Sequence, residues 1–351
     1  MSSSVEKLFN APSFIFLRDG LYFGIGLSNN LPVLETCELI KLAEAQGIDY
    51  AWIADESPSP PYRDVFVAIT SASLNTNKIK IGTGVCNPYT RHPAMLAVAV
   101  ASLNEIAGSR IILGLGPGGS LSLAPLGMRM WYKPIRAIKE SFKIIRGMFE
   151  GNKVNIEGEL FKAINCKLGI DLKRKPQIYL AARGPQMLEI AGELADGVLL
   201  TAPLESIKFA IDMMKLGAEK SNRSVDEIDI ANWLPFAVSE DAERARETVK
   251  RAVAVIVANS PEFVFENTNI KLKEVTEVRD ALKEGVASAM KKVTSEMMEK
   301  FSVAGPPEDC LQIIKKFRDV GVSQIVLSLI GPNQKDTIKI IGEKIIPCLK
   351  F

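Results

Sequence analysis

Short, nearly continuous apolar runs recur along this chain, and almost every one is followed by a segment of helical period. The runs are Tyr22–Leu27, Asp49–Ala54, Ile79–Ile81, Arg110–Leu115, Gln177–Ala182, Gly197–Leu200, Ile228–Val238 and Gln324–Leu329. Helical patterns lie between them: from Pro32 to a stop at Gly47, around Asp64–Leu74, over Ala94–Ala107, Ile135–Phe149, Gly184-Pro185 to Leu194, Leu204–Ala218, from Glu240 or Asp241 onward, Glu308–Val320 and Thr337–Ile346. Runs that stay apolar without alternating predict parallel strands buried on both faces. Eight of them interleaved with helices predict an α/β fold, a (β/α)₈ TIM barrel in preference to a doubly wound open sheet. A bare barrel takes about 250 residues. This chain has 351. The surplus is assigned to an irregular lead over residues 1–19, a small hairpin (Val154–Ile156 with Leu160–Phe161) and a charged helical insertion at about 259–300. No linker divides the chain, so residues 1–351 are expected to form one domain.

Composition removes several classes of function. A net charge of +2 with no dense basic cluster gives no basis for nucleic-acid binding. No apolar run reaches the roughly 18 residues of a spanning helix, so no membrane association is expected. Phe14-Ile15-Phe16-Leu17 gives way at once to Arg18 and Asp19, too short for a signal peptide. The 5 cysteines form no CxxC pair and the chain has 1 histidine, so neither a disulfide frame nor a metal centre is expected. Scattered thiols of this kind read as a reduced, cytoplasmic protein.

In a barrel the chemistry lies at the C-terminal ends of the strands. After Ile79–Ile81 comes Gly82-Thr83-Gly84-Val85-Cys86-Asn87-Pro88-Tyr89-Thr90-Arg91-His92-Pro93, an irregular loop that glycine and turn residues tolerate. Gly116-Pro117-Gly118-Gly119-Ser120 follows the fourth run; its backbone can approach a phosphate or a flat ring, or simply make a tight turn. It is not a GxGxxG fingerprint, and no helix start is expected close behind it. Arg183-Gly184-Pro185 opens a helix, where orphan N–H groups and a guanidinium can meet an anion. Asp55-Glu56 closes the second run, placing carboxylates where they can bind a ring N–H, act as acid or base, or cap the next helix. His92, Trp52 and Cys86 are read as structural.

These residues carry a family resemblance. Leu42-Ala43-Glu44 with Tyr50-Ala51-Trp52-Ile53-Ala54-Asp55, the stretch from Ala72 to Asn87-Pro88-Tyr89-Thr90, and Gly114-Leu115-Gly116-Pro117-Gly118 resemble the methylenetetrahydromethanopterin reductases of the bacterial-luciferase-like superfamily. Gly184-Pro185-Gln186-Met187-Leu188, Ala191-Gly192-Glu193, Asp196-Gly197, the run from Phe301 to Pro307, and Gly331-Pro332 continue it, in order, from about residue 21 to 345. The resemblance implies a barrel that binds coenzyme F420 at its mouth and transfers a hydride from the reduced deazaflavin to a methylene-pterin. It implies a cis peptide at Gly84-Val85 backing the ring. Asp55, Asn87, Gly116, Pro117 and Gly118, with Ala182, Arg183, Gly184 and Pro185, would line the ring and the phosphate-bearing tail. It also implies a homodimer or homotetramer, with helices near the second and third strands between subunits.

The chain departs from the family at three polar positions. Gly26 stands for an acid in the first strand, Glu56 for a histidine after the aspartate, and Gly119 for an acid after Gly-Pro-Gly. Glu56 is therefore the candidate catalytic acid. The competing readings are an FMN-dependent monooxygenase of the same superfamily, a reductase using NADPH directly, and a non-catalytic flavin-binding paralogue.

Overall fold

The computed structural model describes residues 20–130 and 132–349. The expected lead over 1–19 lies outside the described residues. Eleven strands are present among the described residues. They are β1 (Tyr22–Leu27), β2 (Tyr50–Ile53), β3 (Lys80–Thr83), β4 (Ile111–Leu115), β5 (Val154–Glu157), β6 (Lys162–Cys166), β7 (Gln177–Ala181), β8 (Gly197–Leu200), β9 (Asp229–Val238), β10 (Val303–Gly305) and β11 (Gln324–Leu329). In space they follow the order β9-β11-β1-β2-β3-β4-β7-β8, and β8 pairs back onto β9, so the parallel sheet closes. This is the expected (β/α)₈ barrel.

The outer layer is α1 (Val33–Ala45), α2 (Val65–Leu74), α3 (Pro93–Ala107), α4 (Ser120–Leu123), α5 (Pro134–Phe149), α6 (Pro185–Leu194), α7 (Leu204–Lys220), α8 (Ala242–Asn259), α9 (Leu272–Glu284), α10 (Val286–Met290), α11 (Ser295–Phe301), α12 (Pro307–Asp319) and α13 (Gln334–Ile340). None of these is long and apolar enough to cross a membrane. Sequence chemistry sets the starts that matter for the mouth. Asp64 caps α2 by accepting from the amides of Phe66 (2.9 Å) and Val67 (3.2 Å). Pro93 opens α3 behind His92, whose Nδ1 accepts from Ala94 N at 3.2 Å.

Four expectations need correction. β10 was not foreseen; its three residues pair with β9 and are too few to carry a period. The Gly-Pro-Gly-Gly-Ser loop does run straight into a helix, α4, which is a single turn and so leaves no amphipathic pattern. The second hairpin strand begins at Lys162, not Leu160, because the Glu140 carboxylate of α5 accepts from the amides of Glu159, Leu160 and Phe161 and holds them in the turn. The last helix starts at Gln334 and ends in a wide turn over Ile341–Ile345. The charged stretch at about 259–300 holds α9, α10 and most of α11. It shares an apolar cluster with α8, in which Val253, Val257, Phe265, Val278 and Phe301 are buried.

Inside the barrel, large rings meet missing side chains. A Cβ built on Gly82 would lie 2.5 Å from the Trp52 ring, and one on Gly197 2.5 Å from the Tyr179 ring. Trp52 and Tyr179 pack on each other with centroids 5.2 Å apart. The closest approach in the outer layer is between helices: α6 and α7 touch backbone to backbone, a Cβ on Gly192 falling 1.9 Å from the Met214 carbonyl oxygen and one on Gly217 1.8 Å from the Glu189 carbonyl oxygen. Alanine at 192 would gain about 1 kcal/mol in helix propensity, but the clash forces the two helices apart. We therefore expect Gly192→Ala to destabilise the fold by about 1–3 kcal/mol in urea denaturation. Gly119→Ala, whose Cβ meets nothing within 4 Å, is expected to stay within about 0.5 kcal/mol of the parent.

Candidate active site at the barrel mouth

The third strand breaks its pairing where the sequence suggested. Gly82 is level with Ile112 of β4, but the next pairing is Cys86 with Leu115, so β3 spends four residues where β4 spends three. The extra residue is a bulge. Its peptide Gly84–Val85 is cis. The bulge is stitched on either side: Thr83 Oγ1 donates to Gly114 O at 2.7 Å, Cys86 N donates to Gly114 O at 2.9 Å, and Gly116 N donates to Cys86 O at 2.9 Å.

A floor for the mouth follows from this arrangement. The barrel's interior cluster of Tyr50, Trp52, Ile112, Tyr179, Leu199, Ala231 and Val326 is topped by three half-buried residues, Val85, Ala181 and Trp233. Val85 leans towards β4, where a Cβ on Gly116 would come within 2.6 Å of its Cγ2 and 3.2 Å of Ala181 Cβ. Gly116 is thus a cradle that any side chain would fill. The floor is apolar, and its polar groups stand around the rim.

The rim acids have different partners. Asp55 is buried; its Oδ2 accepts from Arg91 Nη1 at 2.8 Å and its Oδ1 accepts from Ser57 Oγ at 3.2 Å. Burial pushes its carboxyl up, against the pull of Arg91 and hydrogen bonds from Cys86 and Ser57. The other arm of Arg91 reaches Asp64, and its guanidinium lies 5.0 Å from the centre of the Phe66 ring. Asp55 is therefore held by the loop after β3 rather than standing free. Glu56 is half-buried and hydrogen-bonded by the Tyr62 hydroxyl; burial raises its carboxyl, Tyr62 opposes this, and nearby Asp55 adds to it. Tyr62 in turn is pushed up to about 12, by burial and then by Glu56.

The remaining candidates separate by what they touch. The Asn87 carbonyl accepts from the amides of Tyr89 (3.1 Å) and Thr90 (2.9 Å), so its side chain shapes its own loop. Gly118 has φ +75°, a left-handed turn that glycine takes without strain. Ala182 is buried, Gly184 N-caps α6 without a side chain, and Pro185 opens that helix. Arg183 is exposed and donates to the Asn259 carbonyl at 3.3 Å, facing the end of α8.

His92 is a helix cap against the edge of Phe161, and Trp52 donates to Gln324 Oε1 at 2.7 Å inside the barrel. The Cys86 thiol is fully buried and held well above its ordinary range by burial and by Asp55, which removes it as a nucleophile. Two residues of the mouth were not singled out in the sequence, Arg91 and Trp233. Arg91 stands in the quoted loop, but its carboxylate partner is 36 positions away. Trp233 left no signal in the sequence, because β9 is apolar on both faces and its inward positions are not marked.

A sequence profile described as luciferase-like monooxygenase matches residues 23–324. The chain is 41% identical over 328 residues to the 5,10-methylenetetrahydromethanopterin reductase of Methanolobus tindarius, covering 92% of this chain and 99% of that one. It is 38% identical over 335 residues to the enzyme of the same name from Archaeoglobus fulgidus, covering 93% and 99%. The solved structure of the coenzyme F420-dependent tetrahydromethanopterin reductase from Methanopyrus kandleri superposes with a TM-score of 0.86 at 32% identity, covering 94% of this chain and 99% of that one. With the profile spanning most of the barrel and these relatives matching nearly end to end, the chain belongs to the luciferase-like monooxygenase family.

Proposed function

We propose that this chain is a coenzyme F420-dependent oxidoreductase that reduces a methylene-pterin to its methyl form. The observation that carries this reading is the apolar floor of Val85, Ala181 and Trp233 at the barrel mouth, in a chain so similar along its length to methylenetetrahydromethanopterin reductases. The residues present fit a flat tricyclic ring. Val85 and Ala181 form an apolar seat, Gly116 leaves room that a side chain would fill, and a Cβ on Gly184 would meet nothing within 4 Å. Gly84 and Val85 would back the ring, and Gly116, Pro117 and Gly118 with Ala182 to Pro185 would hold its tail. The uncapped first turn of α6 is suited to a phosphate there.

Bound in its reduced form, the deazaflavin supplies the hydride. The protein's part is orientation, water exclusion and one proton. Reducing a methylene bridged between two nitrogens breaks one C–N bond, and the leaving nitrogen takes a proton. In this proposal Glu56 holds that proton at its carboxyl oxygen. Burial raises both rim carboxyls, but Asp55 is tied to Arg91 while Glu56 has only the Tyr62 hydroxyl beside it.

The same reading includes a homodimer or homotetramer. α2 exposes Val67 and Leu74, and neighbouring α3 exposes Met95, Val98 and Ile106, at helical spacing along one face of each. A second copy of the chain covers these stripes in this proposal, and α3 starts directly behind Arg91, so the interface would brace the mouth.

Three outcomes are expected. Titration of the purified protein with F420, FMN and NADPH in parallel, read by absorbance and fluorescence, gives selective F420 binding; preference for FMN or NADPH, or binding of none, would sink the reading. Glu56→Gln lowers kcat by about 100-fold while F420 affinity stays within about threefold. In the parent, kcat falls as pH rises through the elevated pKa of Glu56, and that limb is lost in the variant. Val67→Glu combined with Met95→Glu yields a monomer by sedimentation analysis, against an oligomeric parent.

A further inference from the structure

The most constrained side chain of the mouth lies opposite the bulge. Trp233 is on the inward face of β9 with Asp229 and Ala231, level with Val326 of β11. From there its indole crosses to β1 and β3. A Cβ on Gly26 would fall 2.4 Å from Trp233 Cε2 and 2.8 Å from Nε1, and a Cβ on Gly84 2.4 Å from Cζ3. The pyrrole edge therefore lies on Gly26 and the benzo edge on Gly84, and the ring fits only because neither position carries a side chain. It is half-buried, with one part resting on the interior cluster and the rest facing the mouth. Among the described residues its Nε1 has no hydrogen-bond acceptor, whereas the Trp52 N–H, deeper in the barrel, donates to Gln324. That N–H opens to the mouth and not into the barrel interior, so it can donate to a ligand resting there.

The floor thus has two halves. Val85, Gly116 and Ala181 form the side next to β4 and β7, and Trp233 forms the side next to β1 and β9. We propose that Trp233 is the specificity-determining residue of the substrate half, a platform on which the planar, uncharged pyrimidinone ring of a reduced pterin lies, with Nε1 donating to an acceptor at its β1 edge. This rests on the deazaflavin reading, in which the bulge side is taken by the cofactor ring. An indole suits a flat neutral ring because it offers a polarisable face and one donor, with no charge to desolvate. The charged rim groups nearest the floor, Asp55 and Arg91, are already paired with each other.

The test is a pair of equilibrium titrations of the full chain, with tetrahydromethanopterin and with F420, each alone and in the presence of the other. Both are followed by intrinsic tryptophan fluorescence. In the parent, the pterin quenches tryptophan emission. Trp233→Phe removes most of that quench and keeps pterin affinity within about threefold, since a stacking ring remains. Trp233→Ala weakens pterin binding about tenfold or more, the range expected for losing one aromatic stacking partner, and changes F420 affinity by less than threefold. Gly26→Ala, which drives a methyl into the indole, weakens the pterin in the same direction, and Trp233→Ala combined with Gly26→Ala is no worse than Trp233→Ala alone. Circular dichroism of each variant separates misfolding from lost binding, and Trp233→Phe keeps the test open if the alanine variant does not fold. Unchanged pterin affinity in Trp233→Ala, equal losses of pterin and F420, or no pterin binding by the parent with or without F420 each overturn the proposal. A parent that binds the pterin through Trp233 but not F420 would instead refute the cofactor reading and leave the platform standing.

Discussion

Three aromatic rings compete for the inside of this barrel, and the glycines of the facing strands record the outcome. Trp52 from β2 lies over Gly82, Tyr179 from β7 over Gly197, and Trp233 from β9 over Gly26 and Gly84. A packed interior has the density of an organic crystal, so a ring that crosses the barrel needs an absent side chain opposite it. Adding one methyl at any of these glycines would place carbon 2.4–2.5 Å from a ring atom. Rotation of the ring cannot relieve this cheaply, because each is wedged between strands that are themselves hydrogen-bonded on both sides. The depth of the mouth is therefore set from below. The uppermost ring is only half-buried, and where it stops, the site begins.

The electrostatics of the rim follow the same economy. Two carboxylates, Asp55 and Asp64, share the guanidinium of Arg91, so the loops after β2 and β3 are tied together at one point. A charge as buried as Asp55 is tolerable only when paired and hydrogen-bonded, and that obligation removes it from chemistry. Glu56, one residue further on, has no cation paired with it among the described residues; it has the Tyr62 hydroxyl. Adjacent acids in sequence thus end in unlike surroundings. Burial raises both carboxyls, but one is an anchor paired with a guanidinium and the other has only a phenol hydroxyl beside it. That separation of roles comes from which loop each side chain meets.

Much of the architecture was legible because it is written in local chemistry. Apolar runs gave the eight barrel strands to within a residue or two, and Asp64, Pro93 and Pro185 marked helix starts that the structure bears out. The loop at Gly84–Val85 was expected, and the cis peptide there came from the family resemblance. What the sequence did not disclose is either short or distant. β10 and α4 have three and four residues, below the length at which a period shows. The Asp55–Arg91 pair spans 36 positions, and the meeting of residues 26, 84 and 233 spans the barrel. In a strand buried on both faces, apolar residues point in both directions, so nothing in the run around Trp233 marks it as the inward one.

Glycine at position 26 had read as a departure from the family, the loss of a polar group from the first strand. With the fold in view it is one side of a steric exchange. The space beside β1 is not vacant: it holds the pyrrole edge of Trp233, at a distance that excludes any side chain at 26. A carboxylate placed there would have to displace the indole upward into the mouth or lie desolvated against it, and an unpaired buried charge costs several kcal/mol. Position 26 and position 233 are therefore constrained jointly, and so is position 84, which carries the bulge. A change at 26 or 233 is felt first on the side of the floor that the indole forms. The wall of the mouth beside β1 is therefore aromatic, and whatever rests against it meets an indole face in place of a charge.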